Sequence, residues 1–271
     1  MQLENKNVVI TGGCKGIGKA LVEIFIEEGA KVVIADLPKQ NPYEFAKHYG
    51  TLGVNCDVSV EKQVKNLVKK AEQWFGPVDL FVSNAGVTFG EASHAASATN
   101  NVWDQCWRIH VMAHVFAARA VLPSMIKRKN GYFLQVISAA ALLTQIGDAA
   151  YSATKRASLS FAESLAITHK RDGISVSAVC PQYVATEMIG IPEPQQSAST
   201  NNIMSPNYLA KIILKGLKDE TFLILPNPEV YKFMNFKARF YEKWIDQMNK
   251  LRSRAASASN TIDIKTFHKY L

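Results

Sequence analysis

The chain has 271 residues, a mass of 30.0 kDa, 48% apolar residues and 20% charged ones, enough for a large buried core in one doubly wound domain, alone or with a small appendage. Its net charge of +8 and pI of about 9.2 raise the question of nucleic acid. The basic residues are dispersed, crowding only at 62–70, 127–129 and 243–254, and no zinc-finger, RNP or helix-turn-helix signature accompanies them, so no nucleic-acid partner is expected.

The opening MQLENKN lacks the apolar stretch of a signal peptide and the acid-poor character of a transit peptide. Residues 8–11 form a short apolar run, read as a buried strand. Gly12, Gly13, Gly16 and Gly18 make a glycine-rich turn. Residues 19–28 follow with apolar side chains at helical spacing (Ala20, Leu21, Ile24, Phe25), closed by Gly29. A second buried strand, 32–35, ends at Asp36. This is a βαβ unit whose glycine turn opens a helix. Its backbone N–H groups and positive dipole end suit a pyrophosphate. Asp36, eighteen residues after Gly18, is placed for the ribose hydroxyls of a dinucleotide.

Strands and helices then alternate. Residues 53–56 read as a strand, 60–75 as a helix opened by Ser59 with Glu61 in its first turn, and 80–83 as a strand. The polar, small-residue stretch 87–101 reads as loop. A long helix at 103–128, a strand at 131–138, a long helix at 151–171 and a strand at 175–180 follow. Strands separated by helices imply a parallel sheet with right-handed crossovers, an α/β doubly wound (Rossmann) fold in three layers. Ligands of such folds sit at the carboxyl ends of the strands.

Tyr151 and Lys155, four apart on a helix, share one face, with Ser138 thirteen positions upstream. An ammonium beside a phenol favours the phenolate, so the Tyr151 pKa is expected to fall from about 10 toward neutrality. A tyrosine tuned in this way takes a proton from an alcohol, or returns one to a carbonyl, near physiological pH.

The tail is less regular. Residues 191–205, rich in Pro, Ser and Asn, suggest a mobile lid over the substrate. A helix at 207–218, a last strand at 222–225 and a break at 226–228 come next. An aromatic-rich amphipathic helix at 230–251 carries Tyr231, Phe233, Phe236, Phe240, Tyr241 and Trp244. Three readings of that helix stand: packing on the body of the subunit, covering the active site of the same or a neighbouring subunit, or lying on a membrane surface. Residues 253–262 suggest a flexible segment. The expected division is a dinucleotide-binding and catalytic domain at 1–228, with a C-terminal helix and flexible tail at 229–271 packed on it.

No apolar run approaches the 18 or so residues of a membrane span. The four cysteines are scattered and read as reduced, and a cytoplasmic location is expected. His110 and His114 lie one turn apart without an acidic or Cys partner at ligand spacing, so no metal is expected.

From about residue 4 to residue 190 the chain resembles the short-chain dehydrogenase/reductase family. TGGCKGIG is similar to its cofactor loop, which implies cofactor contacts from Gly12, Cys14, Lys15, Gly16, Ile17 and Gly18. CDV at 56–58 resembles its adenine-pocket motif, with Asp57 and Val58. SNAG at 83–86 resembles its NNAG, with Asn84, Ala85 and Gly86. Ser138, Tyr151 and Lys155 match its catalytic positions. CPQYVAT at 180–186 is similar to its P-G-x-V-x-T, with Pro181 beside the cofactor and Val184 and Thr186 at the nicotinamide carboxamide.

The resemblance implies an NAD(P)-dependent oxidoreductase acting on a secondary alcohol or ketone. Ser138 would bind the substrate oxygen, Tyr151 transfer the proton, and Lys155 hold the nicotinamide ribose and tune Tyr151. Asp36 argues for NAD, because a carboxylate repels a 2′-phosphate. Lys15, a basic residue common at that position in NADP enzymes, argues for NADP. A mostly apolar substrate wall is expected from Ala140, Leu143, Ile146, Tyr183 and Met188, together with Ala139 and Leu142. A homodimer or homotetramer is implied, through the helices at 103–128 and 151–171.

Two positions depart from the family. His110 stands where the family has a fourth catalytic residue, an Asn whose carbonyl helps hold a water on the proton path from the lysine and whose side chain supports a helix kink. The proton path could persist, weaken or run through the imidazole, which titrates near neutral pH. Gln182 replaces the Gly after Pro181. The His110 departure motivates an alternative: a cofactor-binding protein with little turnover, acting as a regulator or partner subunit.

Overall fold

The computed structural model describes residues 1–191, 203–256 and 261–270. Its strands are β1 (Asn7–Thr11), β2 (Lys31–Asp36), β3 (Leu52–Asn55), β4 (Leu80–Ser83), β5 (Gly131–Val136), β6 (Ile174–Val179) and β7 (Leu223–Ile224). They form one parallel sheet in the order β3-β2-β1-β4-β5-β6-β7. The order reverses between β1 and β4, and the crevice at that point opens over the carboxyl ends of the strands.

The helices are α1 (Gly16–Glu27), α2 (Pro42–Lys47), α3 (Glu61–Phe75), α4 (Asn100–Cys106), α5 (Ala113–Arg128), α6 (Ala140–Leu143), α7 (Ala149–His169), α8 (Pro206–Lys218), α9 (Pro228–Arg239) and α10 (Tyr241–Ala255). Two cores flank the sheet. Along β5, Phe133 joins the core shared with α3, α5 and α7, while Tyr132 and Leu134 join the core shared with α1 and α8. This is the period-2 alternation of a strand buried on both faces. Phe133 and Leu134 are fully buried, and each such side chain contributes about 1.5–3 kcal/mol.

The helix expected at 103–128 is not uniform. α4 and α5 are joined by a π-helical turn at Trp107–Met112, with His110 inside it. By length and composition alone this 29-residue stretch is long and apolar enough to cross a bilayer. Half of its most apolar window is buried in the fold, where α5 packs between sheet and helices. The aromatic segment is also two helices rather than one. The backbone breaks at Phe240 (φ −137°, ψ 61°), which lets α10 turn back along α9. Val230 and Trp244, both buried, pack with Ala139 and Leu143 of the sheet-end loop.

The segment read as flexible at 253–262 is ordered where it is described. Residues 253–255 finish α10. Ile262 is buried, its side chain lying over Gly147 where a Cβ would collide. Residues 257–260 lie outside the described residues, as do residues 192–202, which hold most of the expected lid.

Candidate active site

A cavity of about 1100 Å³ runs along the carboxyl ends of the strands. Small-molecule sites occupy about 300–1,000 Å³, so this one has room for more than one ligand.

One end is the glycine turn. Lys15 precedes α1 with extended backbone and no side-chain cap, so the first-turn N–H groups of α1 have no side-chain acceptor there. Gly12, Lys15, Gly16 and Ile17 line the cavity. Gly16 has φ +51°, and a Cβ on it would stand 3.0 Å from Thr186 across the cleft. A Cβ on Gly18 would stand 1.9 Å from the Gly12 carbonyl, so only glycine lets the turn fold this tightly. Asn84 ties the turn to the end of β4, its Nδ2 donating to the carbonyls of Thr11 and Gly12, both at 3.0 Å.

Asp36 lines the same end. Its Oδ2 accepts from the Cys14 N–H at 3.0 Å and its Oδ1 from the Leu37 N–H at 2.8 Å, which fixes the carboxylate and leaves lone pairs for a diol. Lys15 donates to Glu187 at 2.8 Å. An uncapped helix start, a cradle closed to any Cβ and an oriented carboxylate fit a dinucleotide.

The centre holds Ser138, Tyr151 and Lys155. The Ser138 hydroxyl, which accepts from the Ala140 N–H at 3.1 Å, lies near enough to the Tyr151 phenol to pull its pKa down. Lys155 is 4% exposed, donates to the Val136 carbonyl at 3.2 Å and lies 5.5 Å from the Tyr151 ring centroid. Burial pushes the phenol up to about 12, against the pull of the Ser138 hydroxyl. The expected fall toward neutrality is therefore reversed in the protein alone. The Lys155 ammonium points at a carbonyl, and burial pushes it down to about 8.

His110 is fully buried and makes no part of the cavity lining. Its Nε2 accepts the Val87 N–H at 3.1 Å, and its Nδ1 stands 2.9 Å from Thr154 Oγ1. Its carbonyl, in the π-helical turn, accepts from the Ser158 hydroxyl at 2.7 Å. Burial first, then Lys155 and His114, hold the imidazole pKa well below its ordinary value. With both ring nitrogens engaged, a proton path through the imidazole has no open end.

Asp148, 1% exposed, was not singled out from the sequence. Its Oδ1 accepts from the Tyr151 N–H at 3.1 Å. Its Oδ2 accepts from the Thr88 hydroxyl at 2.7 Å and the Gly90 N–H at 3.0 Å, among others. It caps α7 and fastens the loop after β4 to it. The signal was an aspartate three residues before the tyrosine, the N-cap spacing.

Of the other expected residues, Ala85, Gly86, Pro181, Val184 and Thr186 line the cavity, as do Ala140, Leu143, Tyr183 and Met188. Cys14 is buried and meets the site only through its N–H to Asp36. Asp57 and Val58 lie outside the lining: the Asp57 carboxylate accepts from the Ser59 N–H, and Val58 is in the core. Ile146 is also outside it. Positive φ at Thr144 (78°) and Gly147 (85°) turns the loop so that Gln145 faces inward instead. Residues not foreseen in the lining include Gln40, Thr88, Trp244, Met248, Phe267 and Tyr270. The aromatic periodicity around Trp244 marked a buried face without saying what it would meet.

The family described as short chain dehydrogenase matches residues 6–196. The chain is 34% identical over 192 residues to short chain aldehyde dehydrogenase 1 of Euphorbia lathyris, covering 69% of this chain and 67% of that one. It is 29% identical over 232 residues to the 3-oxoacyl-[acyl-carrier-protein] reductase FabG of Thermotoga maritima, covering 82% and 94%. Among solved structures, a short chain dehydrogenase/reductase from Burkholderia phymatum in complex with NAD has the same fold, with TM-score 0.79 and 24% identity, covering 89% and 96%.

Proposed function

Because the chain belongs to the short-chain dehydrogenase family and is an oxidoreductase, we propose that it interconverts an apolar secondary alcohol and its ketone with NAD. The observation that carries this reading is that Ser138, Tyr151 and Lys155 meet in the wall of one cavity, with Lys155 buried 5.5 Å from the Tyr151 ring centroid.

NAD, when bound, accepts or supplies the hydride. Ser138 orients the substrate oxygen. In reduction Tyr151, as a neutral phenol, gives its proton to the ketone oxygen and becomes a phenolate; in oxidation the phenolate takes the proton of the alcohol. Lys155 places a positive charge at the cavity floor, where it stabilises negative charge developing on Tyr151. On this reading residues 1–228 carry the chemistry and 229–271 shape the substrate side.

Asp36 supports NAD over NADP. Its fixed carboxylate would stand against a 2′-phosphate, and the opposing argument from Lys15 weakens because Glu187 pairs with that ammonium.

The test is NADH formation from a panel of apolar secondary alcohols by wild type and Tyr151→Phe. Turnover is expected in wild type, with a loss of about 10²–10⁴ in the variant. His110 favours a second reading, a cofactor-binding subunit with little turnover, since its carbonyl is already engaged by Ser158. Tight NADH binding with no turnover across the panel would select it.

A further inference from the structure

The cavity continues past the catalytic centre under the C-terminal helices. Here Leu143 of α6, Phe233 of α9, Trp244, Met248 and Leu251 of α10, and Phe267 of the tail make an apolar wall. Residues 244, 248 and 251 recur at helical spacing, so one face of α10 is turned into the cavity. That face ends in two cations one turn apart, Lys250 and Arg254, which also line the cavity.

Lys15, Glu187, Asp36 and Lys155, which also line the cavity, have partners. Lys15 and Glu187 pair at 2.8 Å, Asp36 accepts two backbone N–H groups, and Lys155 donates to Val136. Among the described residues no ion pair holds Lys250 or Arg254. One further carboxylate, Glu229, lines the cavity, so these two cations leave an excess of one positive charge. Cations in the last turn of a helix stabilise its dipole. That accounts for basic residues at the end of α10 but not for their facing an apolar cavity. α10 lies beyond residues 6–196, which the family description matches.

We infer that the substrate has an apolar body and carries an anionic group such as a carboxylate, received by Lys250 and Arg254 while the body lies against Trp244, Met248 and Phe267. This rests on the dehydrogenase reading above and names its substrate class. Lys250 and Arg254 are exposed at the rim of the cavity, so an anion received there stays partly hydrated while the apolar body enters.

The probes are 1-anilinonaphthalene-8-sulfonate and N-phenyl-1-naphthylamine, the same ring system with and without the anion, titrated by fluorescence. The proteins are wild type, Lys250→Glu/Arg254→Glu, and a control of equal charge change on α8, Lys211→Glu/Lys215→Glu. NADH is titrated separately on each, which also reports folding. The sulfonate is expected to bind wild type at least tenfold more tightly than the neutral probe. That advantage should vanish in the α10 variant and persist in the control, with NADH affinity within twofold throughout. Equal binding of the two probes to wild type, or an equal loss in the control, overturns the inference. A fall in NADH affinity confined to the α10 variant also overturns it, by giving the cations to the cofactor. Failure of wild type to bind NADH would sink the dehydrogenase reading, while the probe comparison still reports on the anion site.

Discussion

His110 Nδ1 lies 2.9 Å from Thr154 Oγ1, and the hydrogen bond between them fixes the tautomer of a buried imidazole. Nε2 accepts from the Val87 N–H, so Nδ1 carries the proton and donates to Thr154, whose hydroxyl passes its own to the Ala150 carbonyl at 2.8 Å. The ring clamps the loop after β4 to α7 one residue before Lys155.

His110 should act as a neutral positioning residue. His110→Ala is expected to lower kcat about 10- to 100-fold, the scale of a small misplacement at a reacting centre, with little change in NADH affinity. His110→Asn, which keeps a donor and an acceptor, should recover most of that loss. NMR of the ring should find no protonation of His110 between pH 5.5 and 8, in line with its lowered pKa. A ring titrating near pH 7 would contradict the fixed tautomer.

Asp36 should select the cofactor. Wild type is expected to bind NADH and to discriminate against NADPH. Asp36→Ala should gain NADPH binding and lose part of its NADH affinity, by about 1–3 kcal/mol for the missing charge-assisted hydrogen bonds. Fluorescence titration of both nucleotides on both proteins measures this, and a wild type that prefers NADPH would refute it.

Asp148 should be a stability residue as well as an organiser of the site. Its buried carboxylate serves donors from Thr88, Gly90 and Tyr151. Asp148→Ala leaves those donors unsatisfied and should cost about 3–5 kcal/mol in urea unfolding. Asp148→Asn retains an acceptor and should cost less. A loss below about 1 kcal/mol for Asp148→Ala would show that water replaces the carboxylate at little cost.

Acid should destabilise the fold through His114. Burial holds its pKa at about 4, against an ordinary value of 6.5, while its Nδ1 bonds Gln135 Oε1 at 3.0 Å. The unfolded chain therefore binds the proton first. The stability is fully present above pH 6.5 and is lost as pH falls toward 4. Between pH 7 and 5 the loss should be about 2 kcal/mol from this group, with His110 acting in the same direction. Urea midpoints at the two pH values, in wild type and His114→Gln, test it; equal pH dependence in both would rule His114 out.

The order of the seven strands, the glycine turn, Asp36, and the Ser138, Tyr151 and Lys155 set were legible in the sequence. Each is a local signal, set by side-chain periodicity or by a turn that only glycine allows, and a parallel α/β sheet brings strand ends together by topology alone.

Other features depend on neighbours distant along the chain. The pKa of Tyr151 was expected to fall because Lys155 shares its helix face. Burial raises it instead, and the depth of burial is set by elements that pack around α7. The fixed tautomer of His110 needs Val87 from one loop and Thr154 from another helix. Trp244 and Phe267 enter the cavity because the chain breaks at Phe240 and folds back over α6. Local sequence determined which polar side chains and glycines stand at the strand ends; only the tertiary structure decided their dielectric surroundings and what closes the cavity above them.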